Sequence, residues 1–96
     1  MREIIWSSEA FLDYSNNINY LLEEWTLTEA EEFVNNVDAI LDRLIPHPYL
    51  FPLSNYKKIR KGIVCKQISI LYRVYSDRIE VLRFWNNYQN PSKLKL

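Results

Sequence analysis

Ile68-Ser69-Ile70-Leu71-Tyr72-Arg73-Val74-Tyr75, then Ser76-Asp77, then Arg78-Ile79-Glu80-Val81-Leu82-Arg83-Phe84-Trp85 is the stretch on which the fold turns. Two runs of β-branched, aliphatic and aromatic residues flank a short polar break, the pattern of an antiparallel hairpin. Strict alternation puts Ile68, Ile70, Tyr72 and Val74 on one face of the first strand. On the second strand it groups Ile79, Val81, Arg83 and Trp85 on one face and Glu80, Leu82 and Phe84 on the other. Arginines thus stand among apolar residues on both strands. Either a partner or polyanion uses the second face of the sheet, or Arg73, Arg78 and Arg83 lie on a wet face with their stems covering it.

Working outward, 96 residues make a single domain, 1–96, with one modest core. Almost half the residues are apolar and one is glycine, a folded globular composition. The lone Cys65 excludes an intramolecular disulfide and points to a reducing compartment. The first residues are too short and polar for a signal peptide, and no apolar run reaches the length of a membrane span. The expectation is a soluble cytoplasmic protein. Net charge is zero, yet residues 1–45 carry two bases and ten acids, and residues 46–96 carry ten bases and two acids. The halves sum to −8 and +8. A basic half favours an acidic partner or nucleic acid, or the two halves attract each other in the fold.

Before the hairpin, Arg2 to Trp6 reads as a short strand, and Ser7 or Ser8 offers an N-cap. Ala10, Phe11, Tyr14, Ile18, Leu21, Leu22 and Trp25 fall at helical spacing. Thr26-Leu27 reads as a break, and Thr28 with Glu31 as a capping box. Ala30, Phe33, Val34, Val37, Ile40, Leu41 and Leu44 make a second amphipathic helix, ended by Pro46 and Pro48. The short link makes the two helices an antiparallel pair. His47 lies on the proline-rich link with nothing beside it to orient it as a base, so a structural or solvent role is expected. Tyr56 to Lys61 and Ile63 to Gln67 read as strands on either side of Gly62, or as one strand bent there. Cys65 reads as a small, half-buried residue. The tail from Asn86 is polar, then basic, and loosely held. Phosphate loops, Cys/His metal clusters and nucleophile motifs are absent from the sequence, so neither a metal nor a cofactor is expected. The order strand, helix, helix, then three or four antiparallel strands is an α+β domain, a helical hairpin packed on a sheet.

This pattern resembles the RelE/ParE superfamily, the toxin halves of bacterial type II toxin–antitoxin pairs. The resemblance spans nearly the whole chain. It rests on the helical hairpin, on Ile45-Pro46 and its proline-rich link, and on Ile70-Leu71-Tyr72-Arg73-Val74 followed by Ile79-Glu80-Val81-Leu82-Arg83. Phe84-Trp85-Asn86-Asn87-Tyr88-Gln89-Asn90-Pro91 is similar to one subgroup's ending, Phe-Trp-Asp, any residue, Arg-Gln, any residue, Pro.

The resemblance implies one of two activities. RelE-like members cut mRNA on the ribosome with cations of the middle strands and a residue near the C-terminus. ParE-like members bind DNA gyrase and break no bond. Both kinds are held by an antitoxin whose disordered segment folds across the toxin, and oligomers are expected only through it. Cleavage requires a base for the 2′-hydroxyl, an acid for the leaving oxygen and cations for the phosphate. Lys57, Lys58, Arg60, Arg83 and Tyr88 are the candidates for those roles. Candidates for partner binding are Arg60, Lys61, Arg73, Arg83, Trp85 and Tyr88. Ser69 falls where the nucleases carry an arginine, and Asn86 and Tyr88 replace the acid and arginine of the subgroup ending. These departures favour a ParE-like binder. A RelE-like nuclease is the alternative. A basic nucleic-acid adaptor without toxicity is a third class, although the sequence shows no alternating aromatic and basic platform for single strands.

Overall fold

In the computed structural model, residues 2–56, 58–89 and 93–94 are described. The order is β1 (Glu3–Trp6), α1 (Ser8–Glu24), α2 (Leu27–Leu44), β2 (Ile59–Ile63), β3 (Ile68–Val74) and β4 (Arg78–Asn86). The strands form one sheet in the order β1-β4-β3-β2. The hairpin read from the sequence is β3 and β4, and the α+β architecture is as expected. One refinement concerns β1, which joins the sheet parallel to β4, with Glu3 opposite Arg78 and Trp6 opposite Val81. The sheet is therefore mixed. A parallel pair needs a long connection, and here both helices and the β2–β3 pair lie between the two strands.

Alternation fails at one place in β4. Leu71 stands opposite Arg83, but Tyr72 stands opposite Val81, so Leu82 has no partner. This bulge reverses the side-chain phase beyond it. Ile79, Val81 and Phe84 all enter the main core, while Trp85 packs on the other face with Ile59 and Leu71. The simple alternation had Phe84 and Trp85 on the opposite sides.

The helices cover the inner face of the sheet. Ala10, Leu21, Phe33, Val37 and Leu44 meet Ile68, Ile70, Tyr72, Ile79, Val81 and Phe84 there, all essentially buried. Burying each large side chain is worth about 1.5–3 kcal/mol. Trp6, Tyr14, Phe33 and Phe84 pack ring against ring, with centroids 4.9–6.1 Å apart. Helix α1 is capped by Ser7, whose Oγ accepts from Ala10 N–H and donates to Leu82 O. Helix α2 starts two residues earlier than the Thr28 reading. Thr26 is its cap, accepting from Glu29 N–H. The sequence offers Thr-x-x-Glu twice, at Thr26–Glu29 and Thr28–Glu31. The earlier one wins because Leu27 and Thr28 can then join the helix.

Gly62 does not bend the chain. β2 runs straight through it, and Phe51 lies across it so closely that a Cβ there would overlap the ring. The buried Tyr72 hydroxyl anchors the proline-rich link, donating to Pro48 O (3.0 Å) and accepting from Phe51 N–H (3.3 Å). No helix among the described residues is long and apolar enough to cross a membrane.

Candidate partner-binding groove

Beyond Trp6, β4 has no strand on its β1 side. Helix α1 supplies substitutes. Asp13 Oδ2 accepts from Phe84 N–H (3.1 Å), and Asn17 Nδ2 donates to Phe84 O (2.7 Å). Asp13 also takes Arg83 in a two-pronged pair, Nε to Oδ2 at 2.6 Å and Nη2 to Oδ1 at 3.0 Å. That bond is the main reason the Arg83 guanidinium is held even more firmly protonated than usual. One of the arginines expected to meet a substrate or partner is thus engaged within the fold.

The outer face carries a groove of about 670 Å³. Its floor is Ser69, Leu71 and Trp85, and its walls are Tyr56, Lys61, Ile63, Asn87 and Leu94. Ser69 is buried and donates to Asn87 Oδ1 (3.0 Å). Ile63 is 70 % exposed, a large apolar side chain left in water at the rim. The outer edge of β2 is partly closed, because Lys61 N–H donates to Pro52 O and Ser54 N–H donates to Ile59 O.

The residues singled out in the sequence scatter around this groove. Lys61 and Trp85 line it. Arg73 is on the same face, opposite Ile59, with Nη1 donating to the Tyr75 hydroxyl. Lys58 is exposed in the turn before β2, in a left-handed conformation (φ 57°). Arg60 points to the inner side, opposite Tyr72, and Nη1 donates to Phe51 O (2.8 Å). Tyr88 is 54 % exposed, with its ring 6.1 Å from Trp25, near the end of α1. Lys57 lies outside the described residues. The expected crowding of Arg60 with Lys61 is not found, because neighbours on a strand face opposite ways. Tyr56, Ser69 and Asn87 were missed as groove residues. Only the departure at Ser69 signalled its position.

Cys65 is half-buried in the β2–β3 turn, and burial pushes its thiol pKa up, away from nucleophile chemistry. Among the described residues no His, Cys, Asp and Glu cluster is placed to hold a metal.

Residues 4–91 match the family described as the ParE toxin of the type II toxin–antitoxin system parDE. The chain belongs to this ParE toxin family. It is therefore a toxin of a type II toxin–antitoxin system. No curated protein sequence matches it significantly. Solved structures of similar shape include a chain from the chromosomal ParDE system of P. aeruginosa, 17 % identical, with a TM-score of 0.66, covering 90 % of this chain and 96 % of that one. The YoeB dimer from Staphylococcus aureus is 17 % identical, with a TM-score of 0.65 and coverage of 91 % and 98 %. YafQ in the E. coli DinJ–YafQ complex is 15 % identical, with a TM-score of 0.60 and coverage of 90 % and 93 %. At these identities the likeness is one of fold, and it includes the α1–α2 layer and the sheet of this ParE-family toxin.

Proposed function

We propose that this toxin acts by binding its target, DNA gyrase, and not by cutting RNA. The observation that carries the reading is the separation of the groups that cleavage would need. Arg83 is bonded to Asp13, Arg60 sits on the inner side, and Tyr88 stacks near Trp25, outside the groove. A general base, a general acid and a phosphate clamp must converge within hydrogen-bond reach of one scissile bond. The match to the ParE family supports the same reading.

A cognate antitoxin is proposed to cover the outer groove, with apolar side chains on Ile63, Tyr56 and Trp85. YafQ and YoeB are crystallised in DinJ–YafQ and YoeB–YefM complexes, which supports a partner of this kind. Because residues 52–54 occupy part of the β2 edge, a segment lying across the face fits better than one added at that edge.

The test uses the purified toxin in two assays, DNA supercoiling by gyrase and cleavage of ribosome-bound mRNA. Inhibited supercoiling with intact mRNA is the expected result, and Tyr88→Phe, which removes one hydroxyl, should inhibit as well as the parent. Cut mRNA, lost when Tyr88 becomes Phe, would overturn the proposal.

A further inference from the structure

At the end of the sheet where β3 turns into β4, four arginines from four separate stretches meet two tyrosines. The Arg60 guanidinium lies 4.8 Å from the centre of the Tyr49 ring, and that of Arg2 lies 5.9 Å from the same ring. Arg2 Nε donates to Tyr75 O (2.7 Å), Arg73 Nη1 donates to the Tyr75 hydroxyl (3.3 Å), and Arg78 covers the Tyr75 ring at 4.0 Å. The string runs from the inner side round the strand ends to the outer face. Arg2 and Tyr75 are 73 positions apart, so no sequence motif announces it.

The charge here is not balanced residue for residue. Asp77 and Glu80 both lie against Arg78, at 3.0 and 3.9 Å, and Glu3 is in register with Arg78. Among the described residues, Arg2, Arg60 and Arg73 have no carboxylate within ion-pair distance. A guanidinium has five N–H donors in a fixed fork. The contacts above use one each on Arg2, Arg60 and Arg73, leaving donors aimed at whatever approaches. Tyr49 is 60 % exposed, a flat ring between two cations.

We propose that this end of the sheet binds single-stranded nucleic acid, with Arg2, Arg60 and Arg73 on phosphates and Tyr49 stacking a base. Charge alone suits any polyanion. The exposed ring among guanidiniums is what selects a ligand with bases, since every base has a face to stack. The site lies apart from the Lys61–Trp85 groove and does not depend on which target the toxin attacks.

Fluorescence anisotropy with labelled U12 and dT12 tests it, with inorganic polyphosphate and polyglutamate as unlabelled competitors. Both oligonucleotides should bind at low salt. Three phosphate contacts imply a log–log salt slope of about −2. Tyr49→Ala should weaken oligonucleotide binding about tenfold, as loss of a stacked base does, and leave competition by polyphosphate unchanged. Arg2→Gln and Arg73→Gln should each weaken binding and flatten the salt slope. Arg60 is left intact because it holds Phe51 O. Circular dichroism confirms that each variant folds. The proposal is overturned if neither oligonucleotide binds, if Tyr49→Ala and Arg2→Gln bind as the parent does, or if Lys61→Gln is the change that abolishes binding. Polyglutamate competing as well as polyphosphate would also overturn it, pointing to an acidic protein.

Discussion

Phe84 and Trp85 are neighbours in the chain and stand on opposite faces of the sheet. Phe84 is sealed among Trp6, Tyr14 and Phe33, and its own N–H and C=O are taken by Asp13 and Asn17. Trp85 is as well hidden by area, yet its cover is a small cluster of Ile59, Leu71, Leu82 and Leu94 beside an open groove. Equal burial thus hides unequal commitment. The inner face is closed by two helices of the same fold, and the outer face by a few side chains with room beside them. Stability belongs to the first face, and a partner has access to the second.

The largest effect should separate the two faces. Phe84→Ala empties a site ringed by aromatics and is expected to cost about 3–5 kcal/mol, while Trp85→Ala, with its looser cover, should cost clearly less. Urea unfolding of both variants measures the difference, and equal losses would erase the distinction. Next comes the latch along β4. Asp13→Ala strips both Arg83 and the Phe84 N–H of their acceptor, an expected loss of about 2 kcal/mol. Adding Arg83→Ala should then cost little more, and a double-mutant cycle reads the coupling. Independent, additive losses would show that the pair does not work as a unit.

The smallest expected effect is at the inner face's polar anchor. Burial raises the pKa of the Tyr72 hydroxyl, so the folded state keeps a proton that the unfolded chain gives up. Stability from this group is unaffected below the unfolded value of about 10 and falls as the pH rises above it. Tyr72→Phe should cost about 1 kcal/mol at neutral pH through its lost bonds to the link, and should flatten the alkaline decline. Melting temperatures between pH 8 and 11, with parent and variant falling in parallel, would assign the decline elsewhere, Tyr14 included, since burial raises its pKa too.

The β3–β4 hairpin and the two helices were legible because periodicity is local and both faces of each element differ. The phase of β4 beyond Val81 was not, because a bulge at Leu82 depends on the partner strand and leaves no mark in its own residues. Arg60 and Lys61 show the same limit. Adjacent basic residues on a strand must part, but which one turns inward is settled by Tyr72 and Gly62 across from and beside them. The acidic and basic halves do attract, though sparingly. Among the described residues, Asp13–Arg83 is the ion pair that joins them. The end where Arg2 meets Tyr75 was invisible because its members come from opposite ends of the chain.

The unpaired Leu82 makes the last turns of β4 depend on a count, not on composition. Losing one codon there would restore the unbroken ladder and exchange the parity of everything after it, presenting Phe84 to the groove and driving Trp85 among the helices. Gaining one elsewhere in the strand would do the reverse. Within this scaffold, the surface offered to a partner can therefore be rewritten by the length of a strand while every residue in it stays the same.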